Sequence, residues 1–159
     1  DTAFSESFAT AVEIEGVRRW LADQGKPEEF SIYMERLKRR EQFMELVLRY
    51  RKKLETLYTS TKSDDDKRIE KARTFEELRR DYAAFKTGWG GYSGFDAWLT
   101  GGELNNARMG AVGVYHQYVP AFQALLVKVG GDFERFYREA EKLTKLPAPE
   151  RTKKLTNFE

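Results

Sequence analysis

FSIYMERLKRREQFMELVLRYRKKLETLY, residues 30–58, decides the fold. Its apolar side chains at Phe30, Tyr33, Leu37, Met44, Val47, Leu54 and Tyr58 follow one another in steps of three and four, once Arg40 and Arg51 are counted in between. That is the seam spacing of a coiled coil, and the two arginines can still lay their alkyl stems along it. Pro27 suits the first turn of such a helix. The pattern predicts one helix reaching about Thr61, roughly 50 Å long at 1.5 Å per residue. After a polar break at residues 59–63, Ser63 is a natural N-cap. Asp64, Asp65 and Asp66 then sit where the helix dipole favours acids. A third helix should run to about Lys86, with Ile69, Ala72, Phe75, Leu78, Tyr82 and Phe85 as its apolar stripe. The two long helices pair as an antiparallel hairpin over residues 27–87.

Outside the hairpin the text is helical as well, with no strand-like alternation of any length. A first helix is predicted over about residues 3–23, ending near Gly25. Gly88-Trp89-Gly90-Gly91 closes the hairpin, and residues 95–99 make a short turn. Leu104, Asn105 and Asn106 open a helix that contains Gly110 and Gly113. Pro120 interrupts that run with a kink or a restart. Residues 121–129 read as a buried helix, Asp132 as the cap of another reaching about Thr144, and Pro147 and Pro149 as the start of a last short one. The expected fold is all-α: a buried N-terminal helix, a long antiparallel coiled-coil-like hairpin and a C-terminal helical cluster, in one domain over residues 1–159.

Composition narrows the chemistry. The chain has 159 residues, which suits one domain with a real core. Charged residues make up 34%, above the roughly 25% of ordinary globular chains, as long solvated helices require. The 28 basic residues nearly balance the 26 acidic ones, and a net charge of +2 gives no reason to expect a nucleic-acid partner. No apolar run approaches the roughly 18 residues of a membrane span. Without cysteine, disulfides, thiolate nucleophiles and Cys-based metal sites are excluded. His116 is the sole histidine, whereas a catalytic zinc usually takes two or three. The chain also opens at Asp1, inside a helix entry, which suggests a fragment of something longer.

The first helix carries the informative residues. Phe8, Ala9, Ala11, Val12, Ile14, Val17, Trp20 and Leu21 cover most of its circumference, the pattern of a buried helix. Yet Glu6, Thr10 and Glu13 stand at i, i+4 and i+7 on one stripe. A buried carboxylate is costly unless a cation, a metal or several donors meet it. Ion pairs to Arg108 or Arg135 would answer that demand, and so would a metal; the spacing leaves both open.

The wording of this helix matches a known pattern. Phe4-Ser5-Glu6-Ser7-Phe8-Ala9-Thr10-Ala11-Val12-Glu13 resembles the helix that gives the third zinc ligand in glutamate-type zincins. It more closely resembles a family of predicted bacterial zinc aminopeptidases, which carry Asp-Thr-Ala-Phe-Asn-Glu-Ser-Phe-Ala-Thr shortly after His-Glu-x-x-His. Leu104-Asn105-Asn106-Ala107-Arg108, Tyr115-His116, Val119-Pro120-Ala121-Phe122 and Phe136-Tyr137 are similar to that family's C-terminal signature.

The resemblance implies that Glu6 is the third ligand of a Zn2+ held in the intact enzyme, with peptides as substrates. It also implies that Glu13 and Thr10 orient a ligand from behind. Ser5 stands where the family has Asn, so a contact to substrate or a neighbouring loop changes there. Tyr115 would be a donor to the oxyanion of the reaction. His116 reads as a satisfied polar residue, and Asn105 and Asn106 as helix caps more than substrate clamps. Arg108 shares a helical stripe with Tyr115.

The His-Glu-x-x-His segment itself is absent from this sequence, so the chain alone should be inactive and hold no zinc tightly. Envelope-targeting signals of the family imply a bacterial cell-envelope location. A rival reading takes the hairpin as a protein-interaction module without catalysis.

Overall fold

A computed structural model describes residues 1–102, 104–110 and 118–157. Among them the secondary structure is all helical: α1 (Thr2–Asp23), α2 (Glu29–Thr59), α3 (Asp64–Gly88), α4 (Asp96–Thr100), α5 (Asn106–Gly110), α6 (Val119–Lys128), α7 (Phe133–Thr144) and α8 (Ala148–Thr156). The chain divides into two compact units, one of Asp1–Phe30 with Val114–Glu159 and one of Ser31–Gly113.

Local chemistry sets most of the helix ends. Ser63 Oγ accepts the Asp66 amide at 3.2 Å, and Asp132 Oδ1 accepts the Arg135 amide at 3.0 Å, as N-caps do. At the end of α1, Gly25 takes φ +70, and the Lys26 amide reaches back to the Leu21 carbonyl at 2.8 Å. This is the six-to-one closure that a left-handed residue permits. Pro120 falls in the first turn of α6, where its missing N–H is not needed, so the helix starts afresh at Val119. The long helix starts two residues beyond Pro27, after a turn in which the Phe30 amide donates to the Pro27 carbonyl.

In the hairpin unit, α2 and α3 run antiparallel. Arg49 pairs with Asp81 and Lys53 with Glu77, so numbers rise on one helix as they fall on the other, and Lys62 in the connection pairs with Glu70. The seam differs from the predicted one by a flank. Phe43, Leu46, Val47, Tyr50, Leu54 and Leu57 are buried against Phe75, Leu78 and Tyr82. Val47 and Leu54 belong to both stripes, but Phe43, Tyr50 and Leu57 displace Met44, Arg51 and Tyr58. The predicted stripe would have carried arginines into the interface; the observed one buries only apolar groups and one hydroxyl, avoiding the cost of desolvating a cation. Arg51 lies at the edge, paired with Glu55 at 3.2 Å. Toward its start α3 leaves the seam, with Ile69 60% exposed. At the other end Phe43 stacks on Phe95 at 4.3 Å and meets Tyr82 and Trp98 edge-on, which fixes α4 to the hairpin.

In the other unit, α1 and α6 run parallel. Phe4 and Phe8 meet Phe122 near the start of both, and farther along Arg19 donates to the Gly131 carbonyl just beyond α6. Phe136 of α7 is fully buried between Phe8, stacked at 5.4 Å, and Phe122, edge-on at 6.2 Å. Leu155 of α8 completes this core. Each such side chain is worth about 1.5–3 kcal/mol in removed apolar surface.

Candidate functional site

One face of α1 is buried, through Phe4, Ser7, Thr10, Ala11, Ile14 and Leu21. The opposite face is open, with Glu6, Ala9, Glu13 and Trp20 exposed. The expectation that both carboxylates are buried is therefore corrected. Among the described residues, α6, α7 and α8 cover the helix on its inner side, and the two exposed carboxylates carry no burial cost. The partners suggested by sequence are otherwise engaged. Arg108 donates to the Trp98 and Gly101 carbonyls at 3.0 and 3.2 Å, and Arg135 pairs with Asp132 at 3.6 Å.

Among the described residues the Glu6 carboxylate takes no hydrogen bond and no ion pair. Seven residues separate it from Glu13, about 10 Å along the axis. Thr10 is buried, on the inner side of the same helix. Ser5 is exposed, and its hydroxyl donates to the Asp1 carbonyl at 3.3 Å.

The backbone beneath Glu6 is held at several points. Asp1 Oδ1 accepts the Phe4 amide at 3.3 Å as the N-cap. Ser7, fully buried, accepts the Tyr118 amide at 3.2 Å and so ties α1 to the start of α6. At the far end Glu15 bridges Arg18 and Arg19 at 2.7 Å each, and the Arg18 bond above all brings its carboxyl down to about 2. Arg19 also lies over the Phe133 ring at 4.4 Å. Sequence reasoning passed over Ser7; a serine on an apolar helix face was the available signal for it.

Asn105 is a cap, its Oδ1 accepting the Arg108 amide at 3.0 Å. Asn106 is not: it accepts the Tyr58 hydroxyl at 2.8 Å. These two and Arg108 belong to the hairpin unit, Glu6 and Glu13 to the other. Tyr115 and His116 lie outside the described residues. The side chains of Phe8, Ala9, Val12 and Tyr137 line a shallow apolar groove.

Among the described residues no three or more His, Cys, Asp or Glu side chains stand together as a metal-holding group. Glu6 stands there as a single exposed carboxylate. No described helix is long and apolar enough to cross a membrane. No curated protein and no solved structure matches the chain. Residues 1–155 match a family model described as "Putative aminopeptidase". With nearly its whole length covered, the chain belongs to that putative aminopeptidase family.

Proposed function

We propose that the chain is the part of a zinc-dependent aminopeptidase that brings a carboxylate ligand, Glu6, to a metal whose other ligands come from a His-Glu-x-x-His segment not present in this sequence. The observation that carries this reading is the Glu6 carboxylate itself: outward, without an ion pair among the described residues, and set on a helix tied down on either side of it. A carboxylate with no structural partner is what a metal supplied from outside requires.

The chemistry a zinc ion contributes when bound is the polarisation of the scissile carbonyl and the activation of water. This chain's own residues do the rest of what is assigned to them. Glu6 presents one oxygen ligand. Glu13, two turns along the same face, accepts the ring N–H of a ligand histidine and fixes its orientation. Thr10 supports that arrangement from the inner side, Ser5 borders the substrate, and Tyr115 donates to the developing oxyanion. The chain on its own, with one ligand of the set, binds zinc weakly and does not hydrolyse peptides.

The test is Glu6→Gln in the intact protein. Zinc content, measured by atomic emission, should fall well below one equivalent, and cleavage of aminoacyl anilides should drop by about tenfold or more. Unchanged metal content and unchanged hydrolysis would remove Glu6 from the site.

A further inference from the structure

The connection between α6 and α7 is tight. Gly130 and Gly131 both stand at φ +75, and the Gly131 amide reaches back to the Leu126 carbonyl at 2.9 Å. Left-handed residues of this kind let the chain reverse without a steric cost. Leu125 and Leu126 of α6 then share one core with Phe136, Ala140 and Leu143 of α7. Beside that packing lies a groove of about 440 Å³, with Leu125 and Val129 as its apolar floor. Its walls are charged: Lys128 from α6, and Arg135, Arg138, Glu139 and Lys142 from α7.

Those charges do not balance. Arg135, Arg138 and Lys142 follow one another in steps of three and four on one stripe of α7, where like charges repel. Glu139 answers Lys142 at 2.6 Å, and Asp132 answers Arg135 at 3.6 Å. Arg138 has no ion pair and no hydrogen bond among the described residues. The Glu139 carboxyl is held below its usual range, by the Lys142 bond first, and the charges of Lys128 and Arg138 add to this. Cations of both helices therefore converge on one place. The four cations of the groove, set against Asp132 and Glu139, leave two positive charges over. Such a stripe works against the helix that carries it and in favour of a ligand of opposite charge.

We propose that this groove binds a phosphate monoester, with the phosphate among Lys128, Arg135, Arg138 and Lys142 and the group it carries lying on Leu125 and Val129. A phosphate monoester has a charge of about −1.5 to −2 at pH 7, which matches the excess. Arg135 and Arg138 stand about 4.5 Å apart along the axis, close enough for both guanidiniums to reach one phosphate group. Their planar forks offer paired N–H donors to its oxygens, and the lysines add point charges. The proposal does not depend on the reading of Glu6.

The experiment titrates the intact protein at constant ionic strength with two sources of this chemistry. One is glycerol 3-phosphate, followed by calorimetry. The other is vesicles of phosphatidylcholine with and without phosphatidic acid, followed by co-sedimentation. At least one source should bind saturably, with a Kd of about 1 mM or tighter. Arg138→Gln should weaken that binding about tenfold, the worth of one charge-assisted bond. Glu139→Gln, which removes an opposing charge, should tighten it. Lys154→Gln, on α8, lowers the net charge as much as Arg138→Gln does and should leave binding unchanged. Arg138 and Lys154 are both exposed, so neither change disturbs the core. Binding of glycerol 3-phosphate supports the site with a free phosphorylated molecule as its ligand. Binding only of vesicles that contain phosphatidic acid supports it with a lipid headgroup instead. No saturable binding of either source would overturn the proposal, as would a loss in Arg138→Gln no greater than in Lys154→Gln. An acidic peptide that binds through Arg138 where both phosphates fail would overturn it too, in favour of a protein partner.

Discussion

In the hairpin unit, Asp81 accepts the Tyr50 hydroxyl at 2.8 Å and pairs with Arg49, Glu77 pairs with Lys53, and Asp96 takes both Tyr82 and Lys86. On α1 of the other unit, the outward Glu6 takes no such bond among the described residues. Both regions are helical, charged and built on an aromatic core, and acids of both form ion pairs, yet Glu6 stands apart from these. The hairpin uses these carboxylates to fasten its own helices together. The α1 unit packs its core with Phe4, Phe122 and Phe136 and leaves Glu6 unspent. Substitutions should therefore separate the two, with hairpin acids read out in stability and Glu6 in function.

The largest effects test the premise that each region has a real core. Phe136→Ala should cost about 3–5 kcal/mol, and Leu78→Ala in the hairpin about 2–5 kcal/mol, in chemical denaturation followed by circular dichroism. Asp81→Ala should cost less, about 1–3 kcal/mol, because it strands the buried Tyr50 hydroxyl. A hairpin indifferent to this change would erase the contrast with α1.

The same hydroxyl gives a test by pH. Burial first, and then the Asp81 bond, push Tyr50 up to about 12, against roughly 10 in an unfolded chain. A proton held more tightly in the folded state means that this contribution is complete below about pH 10 and is lost as pH rises toward 12. Tyr82 is raised in the same sense, by burial and by Asp96. Denaturation midpoints measured from pH 9 to 12 should fall, and Tyr50→Phe should remove part of that fall. The smallest expected effect is on stability in Glu6→Gln. An exposed, unpaired carboxylate should change it by no more than about 0.5 kcal/mol, even as zinc content drops. A clear loss of stability there would mean that Glu6 serves the fold after all.

Much of the architecture was legible because its signals are local. Ser63, Asp132 and Asn105 are caps written into the few residues around them, and Gly25 is the turn residue a helix end calls for. The seam was harder. Phe43, Val47, Tyr50, Leu54 and Leu57 are spaced as regularly as the stripe read from sequence, and the two share members. Which one faces α3 depends on the cost of burying Arg51, a question only the paired helix answers.

The candidate site shows the same division. Glu6 and Glu13 were visible as a pair on one stripe, but their exposure was not. The apolar residues of α1 wrap far round it, and the sequence does not say how many neighbours will cover them. The ion pair of Arg151 with Asp1 left no local signal at all, since the two stand 150 positions apart.

Ser7 gives the Glu6 reading a geometric constraint. Consecutive helical residues differ by about 100° around the axis. With Ser7 locked inward by the Tyr118 amide, the helix has one permitted rotational phase, and in that phase the preceding side chain points out. The inward hydroxyl and the outward carboxylate are thus a single setting of one dial. Inserting one residue between positions 6 and 7 would swing the carboxylate about a quarter-turn away while every buried contact downstream stayed in place.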